Sequence, residues 1–355
     1  MNILNKPFSN LYNTAPFSEI ENEHFLPAFK LAIKHAKAEI DTIASNDETA
    51  TFKNTIETLD FSGKELDRIS SVFFNLNSAE TNDELQKIAQ QVSPLLAEFS
   101  NDIALNQALF KRVKAVYDTQ KSLFLSAEQN TLLKKKYRGF IRNGANLSEN
   151  KKLELREIDK SLSKLKLTFG ENILAETNNF ELHLTSKKEL SGLPEGAQEA
   201  AKQLAESKNK KGWLITLDYP SYIPFMTYAN NRELRQKLSN AFGSRAFKKN
   251  KFDNQKNIVQ IVALRYKRAK LLGYKTHAHF VLEERMAKTP EKVLEFLNEL
   301  LEKAKPTAES EFEDLQNFAK KLDGIEKLEK WDSAFYSEKL KQKLFKFDKT
   351  LSNKK

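Results

Sequence analysis

GWLITLDYPSYIPFMTYANNRELRQKL, residues 212–238, breaks with the rest of the chain, and its reading decides the fold. Elsewhere the sequence is patterned for helices. Here Trp213, Leu214, Ile215, Thr216 and Leu217 form a short apolar, β-branched run that suits a buried strand. Pro220 and Pro224 then lack amide hydrogens and bias the residues before them away from helix, which predicts a tyrosine-rich turn. Asn230 or Asn231 can cap the next helix, in which Leu234 and Leu238 recur at helical spacing.

Working outward, Phe180, Leu182 and Leu184 alternate with Glu181 and His183, the period of a strand with one wet face. A helix over 194–208 separates it from the strand at 213–217. The remainder reads as helix. Residues 21–43 form one amphipathic helix entered through Pro27, and residues 51–76 form another, carrying Ile56, Leu59, Leu66, Ile69, Phe73 and Leu76 on one stripe. Thr81 and Glu84 have capping-box spacing ahead of a helix with Pro94 as a kink. Shorter helices are expected over 106–118 and 126–140, and a long one over 147–176. Residues 253–272 end at Gly273, a natural left-handed cap. Thr289-Pro290-Glu291 starts a helix whose inward face would be Val293, Phe296, Leu297, Leu300 and Leu301, with Pro306 kinking or ending it. A further helix over 307–322 and a short one around Trp331–Tyr336 complete the pattern. The fold class is mostly α, multi-helical, with one small hairpin-like sheet near 180–184 and 213–217.

Composition supports this reading. Of 355 residues, 40% are hydrophobic and 30% charged, so core material is ample, and a length of this order suits about two domains. Gly is used only 10 times, well under the roughly 7% of average usage, which disfavours glycine-rich phosphate loops. The absence of cysteine excludes disulfides, thiolate nucleophiles and cysteine-ligated metals, and suits a reducing cytoplasm. No apolar run has the length of a signal peptide or membrane span. The net charge of +10 invites a nucleic-acid reading, but seven lysines against Asp348 alone fall within 339–355. More than half of the excess therefore sits in one tail, and no zinc finger, RNA-recognition signature or arginine-rich arm accompanies it. The last residues, KFDKTLSNKK, lack caps and core residues and read as a disordered tail over 346–355.

Catalytic constellations are scarce. The five histidines are His24, His35, His183, His277 and His279. There is no HExxH, no G-x-S-x-G and no GxGxxG. His277 and His279 form the sole close pair, and two ligands without a third make a poor metal site, so a solvated loop is the simpler reading. Glu283-Glu284 reads as a solvated turn, because adjacent helical residues do not face one another. Tyr219, Tyr222 and Tyr228 could line a peptide groove or could seal the sheet onto the helices. The residues themselves assign no catalytic, substrate-binding or metal-ligating position.

Four segments taken together resemble the thimet oligopeptidase and peptidyl-dipeptidase family of zinc metallopeptidases. They are FKNTIETLDFSGKELDRISSVFFNLNSAETNDELQ (52–86), residues 212–238, LLGYKTHAHFVLEERMAKTPEKVLEFL (271–297) and WDSAFYSEKL (331–340). The bacterial peptidyl-dipeptidase branch is most similar, chiefly through SVFFNLNSAETNDELQ. The resemblance implies a neurolysin-like, zincin-type helical fold whose lobes enclose a channel for short peptides. It implies zinc held by an HExxH motif and a later glutamate, all beyond the fourth segment. On this reading residues 1–224 form an amino-terminal helical lobe and residues 225–345 begin a peptidase domain that stops before the zinc motif. The expected function is that of an amino-terminal portion of a cytoplasmic peptidase, inactive alone. It would hold no cofactor itself and would take short peptides or a separately encoded catalytic half as partners. The alternative is a non-catalytic helical module that binds a peptide or partner. Either way, apolar surface should lie exposed where further chain would pack.

Overall fold

The computed structural model describes residues 2–345, so the tail expected at 346–355 lies outside the described residues. The chain divides into two units. One holds residues up to Thr168 together with Val259–Val281; the other holds Phe169–Ile258 and the chain from Leu282 onward.

The first unit opens with α1 (Asn22–Ala44), closed at its start by a reciprocal cap in which the Glu21 amide donates to His24 Nδ1 at 3.1 Å. Pro27 lies in the second turn of α1 rather than at its entry. The stripe over 51–76 is interrupted where one helix was expected. A π-helical turn (Phe52–Glu57) leads into α2 (Thr58–Phe61), and Gly63, at φ +75°, turns the chain into α3 (Lys64–Ala79). Asn82, not Thr81, caps α4 (Asp83–Ala104), because its Oδ1 accepts from both Glu84 and Leu85 amides, whereas Thr81 donates to Asn77. Next come α5 (Gln107–Asp118), α6 (Ala127–Arg142) and α7 (Glu149–Asn178), close to their expected bounds. Phenylalanine does much of the packing here. Phe73 is fully buried and meets Phe25 and Phe29 edge-on, with ring centroids 4.9 and 5.4 Å away. Each such side chain contributes about 1.5–3 kcal/mol by leaving water.

The second unit carries the sheet. β1 (Leu182–Leu184) and β2 (Trp213–Ile215) pair antiparallel, Leu182 opposite Ile215 and Leu184 opposite Trp213, with α8 (Glu195–Ser207) between them in sequence. The tyrosine-rich turn expected around Pro220 and Pro224 is instead α9 (Tyr219–Tyr228). Pro220 occupies the first turn, where its missing amide would have had no helical partner, and Pro224 follows one turn later. The loss is thus confined to one ladder bond. Asn231 caps α10 (Arg232–Gly243), while Asn230 is drawn away to Ser191.

α11 (Gln255–Leu271) returns the chain to the first unit and is followed by Gly273 in the left-handed region. His277 and His279 lie on a short helix, α12 (His277–Leu282), not on a loop. α13 (Pro290–Asp323) is one helix of 34 residues that passes through Pro306, where an end or a second helix was expected. Strong helix formers on both sides of Pro306 absorb the lost bond. Only the later part of α13 is buried, through Leu315, Phe318 and Ala319 against Phe335 and Tyr336 of α14 (Ser333–Phe345). Leu294, Phe296, Leu297, Leu300 and Leu301, a set that includes most of the face expected to point inward, are each at least half exposed.

Gly212, at φ +96°, enters β2 so close to β1 that a Cβ would stand 2.3 Å from the Leu184 carbonyl oxygen, whereas a Cβ at Gly63 would meet nothing within 4 Å. G63A should therefore cost about 1–2 kcal/mol from its left-handed backbone alone. G212A should cost a further amount of about 1–3 kcal/mol for the collision. Urea unfolding of the two variants checks the difference.

Candidate functional site: an arginine clamp and a basic pocket

In the second unit, the start of α10 is held by a carboxylate from the other end of the chain. Arg232 grips Asp332 with two donors, Nε to Oδ1 at 3.0 Å and Nη2 to Oδ2 at 2.7 Å. Arg235, one turn on, donates Nη2 to the same Oδ1 at 3.2 Å, Nε to the Trp331 carbonyl at 3.1 Å and Nη1 to the Ala229 carbonyl at 2.7 Å. Its guanidinium lies 4.0 Å over the Phe335 ring. The Asp332 side chain has no exposed surface and that of Arg235 almost none. Burial pushes the Asp332 pKa up, but hydrogen bonds from Arg232, the Glu329 amide and Arg235 outweigh it and leave the carboxyl below its usual range. Beside it the Tyr336 hydroxyl donates to Asp323 at 2.9 Å, and burial with that acidic neighbour pushes the phenol up.

The first unit contains a cavity of about 530 Å³ with a basic lining. α7 contributes Asp159 and Lys166, α11 contributes Arg265 and Arg268, and α12 contributes His277 and Phe280. Arg268 is neutralised by Asp159, Nε to Oδ1 at 2.6 Å, and stacks 4.9 Å from the Phe280 ring. Arg265 and Lys166 have no carboxylate partner among the described residues, and the Arg265 Nε is buried without an acceptor. Burial and the neighbouring Arg265 and Arg268 lower the Lys166 pKa, with Asp159 opposing. Burial, Arg265, Arg268 and Lys166 likewise lower that of His277, whose Nδ1 is also buried without a partner.

Zinc, which the resemblance implies for the family, does not fit these side chains. His277 stands among cations that would repel a divalent ion, and His279 Nδ1 is taken up by the Thr276 hydroxyl at 2.8 Å. Separated by two positions on a helix, their rings point to different sides. Among the described residues the group with metal-ligand spacing is Glu21, Glu23 and His24, but His24 Nδ1 is already committed to the α1 cap and both glutamates are exposed. Glu283 and Glu284 lie on an exposed turn, as expected. Of the three tyrosines, Tyr222 stacks on Phe242 with centroids 4.3 Å apart and Tyr228 packs on the same core, whereas Tyr219 remains exposed.

Comparison with known proteins bears directly on these segments. Residues 225–355 match the sequence model of Peptidase family M3. Over 346 residues the chain is 36% identical to Oligopeptidase A of Haemophilus influenzae, covering 96% of this chain and 51% of that protein. The corresponding figures for Oligopeptidase A of Escherichia coli are 34% identity, 96% and 51%. Dipeptidyl carboxypeptidase of Escherichia coli is 36% identical over 345 residues, covering 96% and 50%. The chain is similar to these peptidases along nearly all of its own length. It spans about half the length of the curated relatives it matches.

Two of the segments that carry the M3 resemblance, 212–238 and 331–340, thus meet through the clamp. Sequence alone indicated neither the clamp nor the basic pocket. RYKRAK at 265–270 was the available signal for the pocket, since its two arginines stand three apart on one helix face. Asp332 anchors three elements at once, so D332A should destabilise the fold by about 3–5 kcal/mol by stranding the buried Arg235 guanidinium. Because its folded pKa is lowered, the stabilisation it gives is present above the ordinary carboxylate pKa and is lost as pH falls through the lowered value. Urea unfolding of the wild type and D332A at a series of acidic pH values should show the gap between them closing.

Proposed function

We propose that this chain is the amino-terminal portion of a zinc peptidase of short peptides, working in the cytoplasm, and that it is not hydrolytic alone. The observation that carries this reading is the match to peptidases along 96% of the chain, combined with a sequence that contains no HExxH. In this family zinc activates the attacking water, and its absent ligands cannot be replaced by histidines caught in a helix cap or among arginines. Residues 1–224 would serve as the lobe that confines the peptide, and residues from 225 would begin the peptidase domain, where the family match also begins. Purified chain incubated with zinc and a short blocked peptide should show neither stoichiometric zinc nor turnover. Turnover that requires bound zinc overturns the reading.

The exposed stripe on α13 supports a second element of the proposal: a catalytic half covers it. Leu294, Leu297 and Leu301 follow helical spacing along one side, with Phe296 and Leu300 beside them, all in water. A contiguous apolar face of this kind is a docking surface or an aggregation liability. Until it is covered, the chain should associate with itself as its concentration rises. Sedimentation of wild type and the L297D/L301D variant tests this, and the variant should remain monomeric with an unchanged circular dichroism spectrum. Concentration-independent sedimentation of the wild type would count against a docking role.

A further inference from the structure

We propose that the basic cavity lined by α4, α7, α11 and α12 binds a small oxyanion, a carboxylate or phosphate group, through Arg265 and Lys166. The inference does not depend on the peptidase reading, since every group it uses lies within the first unit.

Three observations converge on it. The first is charge. Asp159 is the carboxylate on the cavity wall, and it is already paired with Arg268 at 2.6 Å. That leaves the cations of Arg265 and Lys166 without a counter-charge among the described residues. The second is unmet donor capacity. Arg265 Nε has no solvent contact and no acceptor, and His277 Nδ1 is in the same condition. Leaving a buried polar group unsatisfied is costly, and the cost is greater for a charged one. A water molecule could accept one hydrogen bond there but could not balance the charge. A carboxylate or phosphate oxygen does both, and the planar guanidinium fork matches either group with two parallel bonds. The third is space. A cavity of about 530 Å³ admits a small ligand or the end of a peptide, and Phe280 supplies an apolar wall beside the charges, which strengthens a buried ionic contact.

Neighbouring groups then acquire defined roles. Arg268 is a positioning residue: it holds Asp159 away from the vacant donors and stacks on Phe280. Lys166 has an exposed side chain and stands where an incoming anion meets the cavity from solvent. A proton on His277 Nδ1, which is buried without a partner, would offer one further donor.

Calorimetric titration and thermal unfolding of the full chain test the proposal. The probes are inorganic phosphate, penta-alanine with a free carboxyl terminus, and the same peptide amidated. At least one oxyanion should bind saturably at one site and raise the melting temperature. R265Q and K166M should each weaken that binding tenfold or more, and K87Q, on an exposed lysine of α4, should leave it unchanged. Binding of the free-acid peptide but not its amide assigns the oxyanion to a peptide terminus. Binding of phosphate while both peptides remain silent assigns it to a free anion. If R265Q fails to fold, K166M decides the matter, because that side chain is exposed and its loss leaves the core intact. Absence of saturable binding by every probe, or binding that K166M and R265Q leave untouched, overturns the proposal.

Discussion

Asp332 keeps its charge where water does not reach it, and the second unit is organised around that constraint. Removing an ion from water costs several kcal/mol even after relaxation, and attraction to a partner offsets this only when the remaining lone pairs are also satisfied. Here Arg232, Arg235 and the Glu329 amide all donate to the one carboxylate. Arg235 in turn directs its other donors to the carbonyls of Ala229 and Trp331, so the start of α10, the end of α9 and the entry to α14 share a single polar node. The surrounding rings, Phe335 above Arg235 and Trp331 near Arg232, exclude solvent and strengthen it.

How much of this was legible in the sequence depended on how far the determining partners lay. The two strands, α5, α6, α7 and α8 follow from local periodicity, because their apolar residues repeat over one or two turns and find their partners within the same region. Proline was the weakest guide. Pro220, Pro224 and Pro306 all sit inside or at the head of helices, since Pro220 loses no helical bond, Pro224 and Pro306 lose one each, and the residues around Pro306 favour helix. The face of α13 misled for a different reason: an apolar stripe records what a helix is suited to cover, and nothing in the described residues covers its first half. The clamp was invisible because Arg235 and Asp332 lie 97 positions apart. Half of the basic pocket was visible in the spacing of Arg265 and Arg268, but its emptied charge balance depends on Asp159 and Lys166 from another helix.

The relationship to M3 peptidases and the site geometry are complementary. The segments that resemble the family are not scattered surface strips; residues 212–238 and 331–340 build one polar node, and the segment over 52–86 supplies Phe73 to the core of the first unit. The chain is similar in sequence to these peptidases over about half of their length, while its histidines are engaged in helix capping, in a backbone contact at Lys211 and in a cationic cavity.

The interleaving of the two units has a consequence for biosynthesis. Translation delivers the wall formed by α4 and α7 early, yet α11, with Arg265 and Arg268, leaves the ribosome only after the whole stretch 169–258 has been made. The nascent first unit must wait with Asp159 unpaired and part of its interior uncovered. Closing so long a loop costs entropy that rises only slowly with its length. The stretch from β1 to α10, made in the interval, would shorten that loop if it pairs its two strands early, whereas Asp332 arrives only after α11.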